Sequence, residues 1–155
     1  MKSGDLAGSI GRGLVAGAVG TAAMTVSSTI EAKLRHRKPS VVPVAAAGKV
    51  LGVQPRNPVG QARFSTVVHW LYGTTWGGVR GVLGGLGMSG PVAAAAHLGL
   101  VWGSELVMLP ALKVAPPVKK WGSTELAVDG WHHLVYVTAT SAAYVHLDRR
   151  RNQRS

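Results

Sequence analysis

Residues 91–112 read PVAAAAHLGLVWGSELVMLPAL, an apolar run broken by His97, Ser104 and Glu105 alone. About 20 mostly apolar residues carry a helix across roughly 30 Å of hydrocarbon, so this stretch is long enough to span a bilayer. Similar segments lie on both sides of it. Residues 64–86 precede it, residues 13–30 (GLVAGAVGTAAMTVSSTI) open the chain, and residues 130–147 follow. The expectation is an all-α, integral-membrane bundle of about four transmembrane helices, forming a single domain over residues 1–155. The first segment does not read as a cleaved leader, because Asp5 lies in its basic start and no small-x-small site precedes Glu31. The long connection 31–63 is basic and contains Pro43, Pro55 and Pro58. Its apolar run 41–53, VVPVAAAGKVLGV, is too short to span and predicts an interfacial helix. A tight turn is expected at Met88-Ser89-Gly90-Pro91, and an irregular connection over 113–129, which carries Pro116-Pro117.

Composition agrees. Hydrophobic residues make up 46% of the 155 and charged residues 15%. A soluble domain carries about 25% charged residues, so this chain is poor in surface-forming side chains. It is too apolar to be disordered. With no cysteine, disulfides, thiolate metal sites and cysteine nucleophiles are excluded. The net charge of +11 comes from 17 Lys and Arg against 6 Asp and Glu. These basic residues flank the apolar segments: Lys33, Arg35, Arg37 and Lys38; then Lys113, Lys119 and Lys120; then Arg149, Arg150, Arg151 and Arg154. A nucleic-acid-binding helix would carry them along one face. The expected partner is therefore the lipid bilayer rather than nucleic acid, and the expected location is the inner membrane, as a multi-pass protein. The two long connections hold more basic residues than the termini, which favours those loops in the cytoplasm. The Arg-rich tail argues the other way. Trp70, Trp76, Trp102, Trp121 and Trp131 sit mostly near segment ends, as interfacial anchors do.

Gly73, Gly77, Gly81 and Gly85 recur every fourth residue and share one helix stripe. Small residues at this spacing let helix backbones approach closely in lipid. Shorter pairs occur at Gly13 and Gly17 and at Gly99 and Gly103. The stripe predicts tight packing inside the bundle, with a homodimer seam as the second reading.

Ionisable residues inside spanning helices usually face the protein interior. Reflecting the second segment through the turn near Ser89 places Arg80 opposite Leu98, next to His97, and Gly73 opposite Glu105. Glu105 shares its depth with Val135, within a turn of His132 and His133, and His69 shares its depth with Thr25. One polar layer, toward the long loops, is expected to gather Thr25, His69, Tyr72, Glu105, His132 or His133, and Tyr136. The other gathers Arg80, His97, Tyr144 and His146. Three readings follow: a structural or scaffolding protein whose interior charges merely pair, a proton- or ion-coupled transport element using Glu105 and His69, and a bis-His haem protein. Scaffolding is the leading expectation, without a cofactor. Adjacent His132 and His133 do not make a helical metal face, which needs neighbours three or four apart. No GxSxG, HExxH or catalytic carboxylate pair is present, so no enzymatic activity and no catalytic residue is assigned.

The segments HWLYGTTWGGVRGVLGG (69–85), HLGLVWGSELVMLPALKVAPP (97–117) and HHLVYVT (132–138), with the start GLVAGAVGTAAMT (13–25), resemble small bacterial inner-membrane proteins of the YagU-like type. Those proteins repeat a His-x-x-Tyr-Gly element, and a Leu-Pro-Ala-Leu…Pro-Pro stretch follows their third helix. This chain departs from the pattern with Val137 where the last element has Gly. The resemblance implies a helical inner-membrane protein and carries no established molecular mechanism.

Overall fold

Helix starts and stops follow the local chemistry. In the computed structural model, which describes residues 3–37 and 40–153, α1 runs Ser3–Leu34, α2 Val42–Leu51, α3 Pro58–Gly85, α4 Gly90–Ala111 and α5 Ser123–Asn152. Lys2, Lys38 and Arg154 of the basic clusters lie outside the described residues. Asn57 caps α3: its side-chain oxygen accepts from the Gly60 amide at 2.8 Å, and Pro58 fills the first helical position, where no amide is needed. Replacing Asn57 by Ala is expected to cost about 1 kcal/mol. At this chain length that corresponds to a fall of roughly 2–4 °C in the thermal midpoint of the detergent-solubilised protein. An unchanged midpoint would mean that packing alone holds the start of α3. The turn between α3 and α4 uses Gly87 (φ 88°) and Gly90 (φ 57°), left-handed positions that glycine adopts at little cost.

Each expected helical segment holds one helix, with Leu86 and Leu112 just past the ends of α3 and α4, and no strand occurs among the described residues. Segments 13–30 and 130–147 lie well inside α1 and α5, which extend past them in both directions. Charged residues such as Asp5, Glu31, Glu125 and Arg149 end a hydropathy window but do not break a helical backbone. Within the run 41–53, residues Val42–Leu51 form the short helix α2. The connection 113–129 is regular in part, with a 3₁₀ turn at Val118–Lys120 before α5 begins. Two helices, Asp5–Leu34 and Gly90–Ala111, are long and apolar enough to cross a membrane by length and composition. The four-span expectation is thus met on that criterion by α1 and α4. The equivalent windows of α3 and α5 are diluted by residues such as Arg63, Arg80, His132 and His133.

The four long helices form an up-and-down bundle. Thr25 meets His69 near one end of the α1–α3 pair and Gly85 meets Leu6 near the other, so this pair is antiparallel. Tyr144 meets Ser9 and His132 meets Ser27, so α1 and α5 are antiparallel too. The glycine stripe of α3 faces α1. A Cβ added at Gly17 would lie 2.7 Å from the Gly77 Cα, and one at Gly13 would lie 2.8 Å from the Gly81 Cα. Gly73 meets Thr21, and Gly85 meets Leu6. The stripe is therefore occupied by α1 of the same chain, and a homodimer using it as a seam would have to displace α1. Gly99 and Gly103 on α4 face open space.

Polar side chains share the interior with apolar ones such as Leu83 and Leu109, and many large apolar side chains face outward. Ser9, Thr21, Arg80, His97, His132, His133 and Thr140 are buried, while Val15, Val19, Val26, Ile30, Leu71, Val92 and Val107 are exposed. The compact apolar core is small: Val101, Tyr136 and Val137, flanked by Met24, Trp76, Ala94 and Leu98.

Candidate functional site

The inward face of α5 carries Asp129, His133, Tyr136, Thr140 and Tyr144, with the part-exposed Asp148 at its end. Their spacing of three or four residues keeps them on one side of the helix. They form a polar column through the bundle. At the long-loop end the column opens into a chamber of about 1360 Å³ whose lining includes His69, Tyr72, Glu105, Asp129, His132 and His133.

His133 is the hub of the chamber floor. Its Nδ1 lies 2.9 Å from the Asp129 backbone carbonyl, which can only accept, so Nδ1 carries the donating proton. Its other nitrogen, Nε2, lies 2.7 Å from Glu105 Oε2. The Asp129 carboxylate stands 3.7 Å from the same ring and accepts from Trp102 Nε1 at 2.8 Å. Two carboxylates, from α4 and α5, thus share one imidazole. Asp129 and His133 are an i, i+4 pair, so a single helical turn sets their relation.

The other imidazoles take separate partners. His69 Nε2 is 3.0 Å from the Thr25 hydroxyl. His132 Nδ1 is 3.0 Å from Ser27 Oγ, and its Nε2 lies 3.7 Å from Glu31. Tyr136 donates its hydroxyl to the Gly73 carbonyl at 2.6 Å, and Tyr72 meets Trp76 edge to face. At the chamber mouth, Glu31 accepts from Arg35 at 3.0 Å and from Arg37 Nε at 2.8 Å, and Arg35 also reaches Glu125. The hydrogen-bonded Glu31 carboxylate holds the Arg37 guanidinium above its ordinary value. Basic side chains at the mouth are thereby tied to acidic ones.

The far end of the column is closed. His97 Nε2 donates to the Trp76 carbonyl at 2.9 Å, and its ring stands 5.7 Å from that of Tyr136. Arg80 is 1% exposed; its Nε donates to Ser141 Oγ at 3.3 Å and its guanidinium stacks over Tyr144 at 4.4 Å. Tyr144 in turn bonds Ser9, and Arg12 pairs with Asp148 at 3.0 Å. Arg80 Nη1, His97 Nδ1 and Thr140 Oγ1 are buried with no hydrogen-bond partner in the protein. Such atoms mark an interior suited to water rather than a dry core.

Several expectations about the polar layers change. Depth alone paired Glu105 with the level of His133 and His69 with Thr25, and both contacts form. Glu105 and His69 do not bond each other, although both line the chamber. His97 sits against Trp76, one turn from Arg80, because the connecting turn begins at Leu86 rather than near Ser89. His146 is exposed on the outer face of α5 and does not join Arg80 and His97 in an interior layer. The bis-His reading gains nothing from the geometry, since His69, His97, His132 and His133 each bond a different group. Sequence reasoning placed Asp129 in a connection and missed it. The signal was its position four residues before His133.

No family model, curated protein or solved structure matches this chain, so the likeness to the YagU-like proteins rests on the quoted segments alone.

Proposed function

We propose that the chain is a multi-pass protein of the bacterial inner membrane, with α1, α3, α4 and α5 all spanning, that takes a cation into a chamber open at one end: an ion-coupled transport element. At about 1.5 Å per residue, α3 and α5 extend roughly 42 and 45 Å, ample for a hydrocarbon layer of about 30 Å. Arg80 of α3 and His132 and His133 of α5 point inward, which relieves the cost of about 2.5–3.5 kcal/mol that a lipid-facing charge carries at a helix centre. Only 28% and 22% of the apolar windows of α1 and α4 are buried, so these helices do not behave as the core of a soluble bundle. The likeness to helical inner-membrane proteins supports the same reading.

One observation carries the transport reading over the scaffolding one. Glu105 and Asp129 face a roomy chamber and share the single imidazole of His133. A scaffold pairs each interior acidic group with a partner of its own; here two carboxyl groups share one imidazole at the floor of an open chamber. Arg80 at the far end bars a cation from leaking through. The reading assigns no enzymatic activity.

Two measurements test it. Alkaline carbonate should leave the protein in the membrane pellet; its release would overturn the membrane reading. Purified protein in liposomes should accelerate uptake of ²²Na⁺ or of Mn²⁺, the latter followed by quenching of lumenal calcein. Uptake of both equal to that of protein-free liposomes would overturn transport.

A further inference from the structure

We infer that Glu105, Asp129 and His133 form a binding site for a divalent transition-metal cation, with Zn²⁺ as its type. The inference deepens the transport reading by naming the class of cation, and rests on that reading for its access through the chamber.

One donor atom from each of the three residues lies within 4.8 Å of the other two. Donors around a tetrahedral ion held at about 2.1 Å stand about 3.4 Å apart, so side-chain shifts on the order of 1 Å close the set. One imidazole nitrogen and two carboxylate oxygens suit Zn²⁺ and its first-row neighbours, and three protein ligands leave a fourth position facing the chamber.

The surroundings are those of a ligand set. A metal-bound histidine usually donates its second ring N–H to a carbonyl or carboxylate, which fixes the tautomer and frees the other nitrogen. His133 does this through Nδ1 to the Asp129 carbonyl, so Nε2 presents its lone pair. Nε2 lies 2.7 Å from Glu105 Oε2, a hydrogen-bond separation, so a metal ion enters by displacing the proton shared there and widening that gap. Trp102 Nε1 holds one Asp129 oxygen at 2.8 Å, and the other stands 3.7 Å from His133 Nδ1 with no hydrogen bond of its own, so a small turn of the carboxylate brings it to the ion. Both carboxylates take their ion pair from this one histidine, whose side chain is 6% exposed, in a chain of net charge +11. A divalent ion balances two carboxylates beside a neutral imidazole.

The test is a calorimetric titration of chelator-stripped, detergent-solubilised full chain with Zn²⁺, followed by visible spectroscopy with Co²⁺. One Zn²⁺ per chain is expected, with the intense d–d bands of four- or five-coordinate Co²⁺. Asp129→Asn and His133→Gln should each weaken binding at least tenfold, Trp102→Phe about tenfold as a positioning residue, and His146→Gln, on the outer face of α5, not at all. His133→Cys, which restores a ligand, should recover binding and gain a sulfur-to-Co²⁺ charge-transfer band. Absence of stoichiometric binding, weak octahedral Co²⁺ bands in the wild type, or equal affinity in Asp129→Asn and His133→Gln would overturn the site. If the substituted proteins lose their fold, the wild-type Co²⁺ spectrum decides alone. Uptake of Na⁺ without Zn²⁺ binding would remove this site and leave the transport reading. Zn²⁺ binding without any uptake would do the reverse.

Discussion

Replacing Gly77 by leucine is expected to abolish the cooperative unfolding transition and give aggregated protein on size exclusion, whereas Gly99→Leu should leave both unchanged. Gly77 sits at the middle of the α1–α3 seam, where an added Cβ overlaps the backbone of Gly17 and of Gly13. A clash with a side chain can be relieved by rotation, but a clash with backbone can be relieved only by separating the helices. Separation also opens the neighbouring approaches of Gly13 to Gly81 and of Gly17 to Gly73. In lipid no hydrophobic force drives the helices back together, so the loss of close packing is not offset. Gly77→Ala gives the graded version: overpacking by one methyl group costs about 1–3 kcal/mol. That lowers the thermal midpoint by roughly 2–12 °C at this chain length. Gly99 belongs to an equally spaced pair in sequence, yet a Cβ there meets nothing within 4 Å. The contrast isolates the α1 contact from glycine content as such. If both leucine variants kept a wild-type midpoint, the α1–α3 seam would not hold the bundle.

The same comparison shows where the sequence was legible. Four glycines in register announce a close helix contact, but they do not say whether the partner is another copy or an earlier helix of the same chain. That depends on α2 and its flanking turns bringing α3 back along α1. Depth was readable because antiparallel helices convert residue number into height at a fixed rise. Thr25 against His69 and Glu105 against His133 were therefore within reach. Rotation about the helix axis was not. His146 lies at a suitable depth and still faces outward, and Glu105 turns to His133 rather than to His69. Charge also misled the reading of helix ends. Asp129 looked like the close of a connection, while the backbone had been helical since Ser123. An i, i+4 reading from His133 backward would have recovered it.

Replacing Glu105 by glutamine is expected to lower Mn²⁺ uptake in liposomes at least about tenfold while leaving the thermal midpoint near that of the wild type. Glutamine keeps the length and volume of the side chain, and its amide can donate to His133 Nε2 where the carboxylate now stands at 2.7 Å. The hydrogen bond and the packing survive; the charge does not. A unit charge about 4 Å from a cation is worth about 4 kcal/mol at the effective dielectric of a partly solvated protein site. Water in the chamber reduces that figure, and every 1.4 kcal/mol that remains is a factor of ten in occupancy. His69→Gln is the matched control. His69 lines the same chamber but bonds the neutral Thr25 hydroxyl, so its loss removes neither of the acceptor charges that attract the ion. A structural role for Glu105 predicts the opposite pattern: a lowered midpoint and, in the protein that still folds, unchanged uptake per molecule. Uptake that fell equally in both variants would place the selective contact on the chamber wall rather than at the Glu105, Asp129 and His133 floor.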